Sequence, residues 1–397
     1  MRMRRKPSLV AGGLLAGASL ALAGCGTGGG AAANTTTAGT LPPLPPTLMA
    51  FVTLAGTGGN IGFGHELVPV NISAGSEQVG AKIRVGTYPD SVVVNPAGTM
   101  AYVANYSSNT VTPIDLHSDT PEKAIPAGPG PADIAITPDG KTAYVTDDGS
   151  AASLGHTVTP IDLTTGKAEA AIGVGAGPQG VVITPDGKTA YVTNAGAIVT
   201  GQTGAVGSTV TPIDLATRKA RHAIKVGNGP TGIAVTRDGS TVFVTNLDSG
   251  SVSPISTASD TAGAPIGVPG GPVAVAVSRN TAWVLDTPSN GSTGDNVVPI
   301  SASTHTAGSP ILVGKGAQDI AITPDGKTAW VSCLGANLIE SIDLVRKKAG
   351  ASVHIAGGPF GIAVANQSAN GSSSGAGQSS SPPSTSHKKH KKSSAAS

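Results

Sequence analysis

The chain has 397 residues, 39% of them hydrophobic and only 3% aromatic, with 56 glycines and 30 prolines. A core must therefore come from Val, Ile, Ala and Leu joined by many tight turns, and beyond the N-terminus no stretch is long and apolar enough to cross a bilayer. The formal net charge of +2 hides an acidic middle: without four basic residues near the N-terminus and four lysines near the C-terminus, 17 basic side chains face 23 acidic ones, a net −6, which argues against a nucleic-acid partner.

In chain order, Arg2, Arg4, Arg5 and Lys6 form a basic start, and residues 9–23 form a short apolar segment of the length of an export signal. It ends in Leu22-Ala23-Gly24-Cys25, which resembles the bacterial lipobox. That resemblance implies cleavage after residue 24 and a lipid on the Cys25 sulfur, anchoring an exported protein to the outer face of the cytoplasmic membrane or the cell envelope. The alternative is a plain signal with a chance cysteine. Arg4-Arg5 does not decide between general and twin-arginine export. Residues 25–46 are uncharged and carry Pro42, Pro43, Pro45 and Pro46, as a spacer would. Cys333, left without a partner, ends an apolar run and reads as a buried, unreactive thiol.

From residue 47 to 366 one pattern returns. Tyr191-Val192-Thr193-Asn194 has degenerate copies beginning at Phe51, Tyr102, Tyr144, Phe243, Trp283 and Trp330, spaced 40 to 52 residues apart. A fixed period of this size indicates a repeat architecture. Within one unit, residues 180–183 read as a strand ended by Thr184-Pro185-Asp186-Gly187, a type I turn; residues 189–193, 209–214 and 220–226 read as three more. Four short antiparallel strands per unit make a propeller blade, and no unit shows a helical period. On these motifs the chain resembles the YVTN β-propeller repeat proteins.

The expected fold is thus all-β, a seven-bladed propeller of four-stranded antiparallel blades. The first unit lacks an inner strand, and residues 359–364 supply one with nothing after it, so the C-terminal strand should complete blade one. Pro69, Pro113, Pro160, Pro212, Pro254 and Pro299 recur inside the third strands, where a bulge or an unpaired site is expected; blade seven carries Ser341 instead. Residues 367–397, rich in Ser, Gly and Lys, form a low-complexity tail expected to be disordered. Its His387–Lys392 cluster reads as a solubilising end or as a contact with an anionic surface.

Two faces follow from the blade order. The Pro-Asp-Gly turns and third-to-fourth turns share one face, where their aspartates should hold the turns. The other face collects the long connections 55–65, 147–156, 194–208 and 286–296, which are either a binding surface or unselected drift. The binding candidates on it are His65, Asp147, Asp148, His156, Asn194, Asp286 and Asp295. No tight metal-ligand pair, nucleophile elbow or haem motif occurs, so no catalytic residue, metal or cofactor is assigned. The expectation is a monomeric, non-enzymatic module that binds a cell-envelope protein or polymer through the insertion face and the membrane through Cys25. The alternative is a lactonase-like hydrolase or lyase at the channel mouth.

Overall fold

A computed structural model describes residues 47–56, 64–73, 75, 77–150, 153–197, 206–287 and 295–367. Cys25, the spacer, the tail and the centres of the long connections lie outside the described residues.

Seven antiparallel sheets form a ring. Blade four shows the plan: Pro178–Ile183 innermost, then Thr189–Gly196 and Val206–Asp214, then the short outer pieces Lys219–Ala220 and Ile224–Lys225. Closure is as expected. The C-terminal strand Pro359–Gln367 pairs antiparallel with Thr47–Leu54, from Thr47↔Gln367 to Leu54↔Pro359, and so supplies the missing inner strand of blade one.

The core lies between blades rather than within them. Each first motif residue reaches into the cluster of the next blade: Tyr102 packs with Ile134 and Val145, Tyr144 with Val181 and Val192, and Trp330 with Val52 and Ile362 across the closure. A single large ring per blade fills the wedge that opens between splayed sheets, which explains how 3% aromatics suffice. The following valines, such as Val103, Val145 and Val192, are fully buried.

The fourth strand is not continuous, as the sequence reading of 220–226 had it. In all seven blades the outer strand carries one extra residue relative to its partner. In the six proline blades the pairing breaks there. Each proline carbonyl still accepts an outer-strand amide, as in Arg221 N–H to Pro212 O at 2.7 Å. Carbonyl and amide of one strand residue point the same way, so the missing N–H faces the bulge, where no acceptor waits. Blade seven, with Ser341, keeps one outer strand, Lys348–His354, and the serine hydroxyl donates to Ala351 O.

The turn aspartates behave as anticipated. Thr184 Oγ1 donates to Asp186 Oδ1 at 2.6 Å and the Lys188 amide does so at 3.1 Å, a pattern repeated at Asp139, Asp238 and Asp325. These bonds hold the exposed carboxyls below the usual range.

Candidate functional site

The inner strands begin on the insertion face, so their first residues form the channel mouth there. Their second residues in six blades are Asp90, Ala132, Gln179, Thr231, Gln318 and Phe360, with Val273 at the equivalent place in blade six, and all line one cavity of about 200 Å³. Their third residues pack the wall. Gly180, Gly232 and Gly361 sit where an added Cβ would meet neighbouring backbone at 2.4 to 2.7 Å. Asp133 and Asp319 instead reach across to the next blade: Asp133 accepts from the Val181 amide at 2.9 Å, and Asp319 from the Ile362 amide at 3.0 Å. Burial raises both carboxyls, Asp319 to about 6, while these amides pull the other way.

The third motif residue staples the ring. Thr146 Oγ1 donates to Gln179 O at 2.7 Å and Thr193 Oγ1 to Thr231 O at 2.8 Å, each bond crossing to the next blade. The fourth residue clamps the linker that enters its own blade. Asn194 accepts from the Gly175 amide and donates to Thr209 and Thr211.

These contacts place the binding candidates. Asn194, Asp147 and Asp286 occupy that fourth position, 0–1% exposed. Asp147 accepts from Thr157 and Thr159 at 2.8 Å, and Asp286 from the Gly270 amide at 3.1 Å. Their side chains thus serve the fold beneath the surface. Asp295 binds the Ala317 amide at 2.6 Å, joining blades six and seven. His65 and His156 stand at the third strands of blades one and three, half-buried and exposed, away from the channel-lining strands. Of the seven, Asp148 alone faces the mouth.

In its described residues the connection 147–156 is strand rather than loop. Thr142–Ser150 and Ser153–Asp162 extend into a paired hairpin with a bulge at Asp148, between Asp147↔Thr157 and Gly149↔Leu154. The bulge re-aims the side chain. Tyr106 Oη donates to Asp148 Oδ2 at 3.2 Å. Tyr106 stacks edgewise on Tyr88, centroids 5.5 Å apart, and Tyr88 on Phe360 at 5.9 Å.

Sequence reading missed Tyr88, Asp90, Tyr106 and Phe360. A signal existed. Tyr88 precedes the inner strand of blade two with φ 52°, where five other blades place left-handed Gly130, Gly177, Gly229, Gly316 and Gly358. Cys333 is fully buried, and burial first, then Glu340 and Asp295, push its thiol up to about 12. Among the described residues no cluster of His, Cys, Asp and Glu fits a metal ion.

No family model matches the chain, and no curated protein matches it. Solved structures do. The chain is similar to hydrazine synthase of Kuenenia stuttgartiensis (TM-score 0.60, 21% identity, 69% of this chain and 89% of that one). It is similar to a protein of unknown function from Desulfotomaculum acetoxidans (TM-score 0.64, 17% identity, 80% and 99%). It is also similar to a candidate 6-phosphogluconolactonase of Bacteroides fragilis (TM-score 0.64, 16% identity, 81% and 98%). At these identities the likeness establishes a shared seven-bladed propeller fold and nothing finer.

Proposed function

We propose that the chain is an exported, lipid-anchored propeller of the YVTN kind, monomeric and non-enzymatic, that binds a cell-envelope partner through its insertion face. The observation that carries this reading is the unevenness of that face. One arc of the mouth, from blade one to blade three, departs from the repeat in its side chains, while on the Pro-Asp-Gly face four blades repeat one Thr-x-Asp-Gly turn bond for bond. A scaffold is uniform where nothing binds and individual where something does.

The lactonase-like alternative draws on the likeness to the Bacteroides fragilis structure and to a second candidate from Bacteroides uniformis, 15% identical. Opening a phosphorylated lactone calls for a cationic or amide clamp on the anion and a base for water. The described channel lining offers carboxylates, amides and no His, Lys or Arg, so a phosphate there would meet like charge. The chemistry of the lining therefore favours binding.

The test combines anchor and face. Full-length protein and its Cys25→Ala variant are fractionated, and envelope extracts are passed over immobilised protein with residues 198–205 and 288–294 intact or replaced by short Gly-Ser linkers. Cys25→Ala is expected to leave the membrane fraction or to retain its signal, and the shortened protein to lose its partner. A processed, membrane-bound Cys25→Ala product overturns the anchor. Undiminished retention by the shortened protein overturns the face.

A further inference from the structure

The sevenfold repeat supplies its own control, because each mouth position exists in seven versions. Just after the motif, in six of the blades, an amide bonds the carbonyl that precedes the inner strand, and the side chains there are Ala55, Tyr106, Asp148, Ala195, Leu247 and Leu334. Before the inner strand stands glycine in five blades and Tyr88 in blade two. On the inner strand's second position or its equivalent, Asp90 and Phe360 stand beside these tyrosines, while blades five and six offer Thr231 and Val273. Every aromatic ring at the mouth falls on one arc with Asp90 and Asp148.

Asp90 differs from the other channel carboxylates. Asp133 and Asp319 are held by amides of the next blade, and Asp148 by Tyr106. The Asp90 carboxylate receives no hydrogen bond from a described residue. It is half-buried and opens on the channel, which is itself open to solvent. Its carboxyl lies well above the usual range, through burial first and then the charges of Asp133, Asp148 and Asp319. A half-buried carboxyl among like charges with no described cation nearby holds its proton more tightly, and a cation entering the channel would favour its ionised form.

Holding Tyr88 left-handed costs about 1 kcal/mol or more, and Gly at that place would cost none. What the tyrosine provides is a wall: with Tyr106 and Phe360 it makes an aromatic arc beside the free carboxylate, all three rings half-buried. Aromatic faces and a carboxylate together suit a soft, weakly hydrated cation. A divalent metal wants several converging oxygens, and none of the described clusters provides them.

We propose that the channel mouth on the insertion face is a site for an organic ammonium group, which ion-pairs with Asp90 and lies against Tyr88, Tyr106 and Phe360. The cavity of about 200 Å³ has Asp90 and Phe360 in its lining, with Tyr88 packed on Phe360 and Tyr106 on Tyr88 beside it, and it admits a small alkylammonium ion or the end of a basic side chain, which share this chemistry. The proposal deepens the binding role proposed for this face and names its ligand class.

The test titrates the full chain with tetramethylammonium and n-butylammonium chloride by calorimetry, against sodium and calcium chloride at matched ionic strength. Saturable binding of an alkylammonium ion is expected. It should weaken about tenfold or more in Asp90→Asn and in Tyr106→Leu, and stay unchanged in Val345→Thr, an exposed turn residue on the opposite face. Tyr88→Gly guards against mere misfolding, since it installs the residue used by five other blades. It should leave the protein cooperatively folded while weakening binding. Heats no larger than those of sodium, tighter binding of calcium, or undiminished binding in both Asp90→Asn and Tyr88→Gly would each overturn the site. An alkylammonium failure alongside intact partner retention on the insertion face removes this inference and leaves the binding role standing.

Discussion

Each residue of the repeated tetrad has its own task, and Asn194 and Asp147 show what happens when one varies. The amide of Asn194 accepts from a linker N–H and donates to two threonine hydroxyls, so every polar atom has a partner. In blade three the same place holds Asp147, which accepts from both threonines on Oδ2 and leaves Oδ1 buried with no well-formed hydrogen bond, only the Gly128 amide near it. Burial raises its carboxyl to about 6, against the pull of Thr159, Thr157 and the Gly128 amide. The unfolded carboxyl titrates near ~3.9, so the folded state binds the proton more tightly. Ionisation therefore penalises the fold, by about 3 kcal/mol above pH 6, and the penalty fades as pH falls toward ~4. Asp147→Asn should raise the melting temperature at pH 7.5 and match the parent near pH 4, followed by circular dichroism. An equal gain at both pH values would show that charge is not the cause. None of this burial was legible in the sequence, because a polar residue at a strand end looks like the first residue of a loop.

At the scale of the strand, the recurring proline is explained by where its missing donor points. Its carbonyl serves the outer strand, its absent N–H meets the bulge, and in blades one to five the outer edge is broken into two-residue pieces. Short, interrupted edges resist pairing with other chains. Ser341→Pro should therefore be tolerated, shifting the melting temperature by no more than about 2 °C, since it copies six other blades. Ile342→Pro, one residue on, removes a fully buried side chain and a ladder donor facing the second strand. It should cost on the order of 4 kcal/mol, read as a denaturant midpoint. Equal effects from the two substitutions would refute the positional argument.

For the whole molecule, the sequence carried the ring plainly, since seven copies of one pattern and two incomplete ends leave little freedom. It carried the mouth poorly, because Tyr88, Asp90, Tyr106, Asp148 and Phe360 come together only when the blades are set in register around an axis. The same ring makes stability non-local. Pro359–Gln367 is the last strand in sequence but the inner wall of blade one, paired along Thr47–Leu54 and packed against the inner strand of blade two. Gly361 accepts and donates with Thr53 across 308 residues, and the Ile362 amide holds Asp319 of blade seven. Cutting the chain before Pro359 would open two sheet edges, leave Asp319 buried without that amide, and expose Val52 and Phe51. The apolar loss alone is about 5 kcal/mol, which for a ring of this size corresponds to a fall of roughly 10 °C in melting temperature. Cutting after Gln367 removes no described contact and should leave the melting temperature unchanged. The comparison needs only two truncations of one gene, melted side by side. If both melt with the parent, the closure of the ring by its last strand is wrong; if both fall together, residues beyond Gln367 contribute to the ring as well.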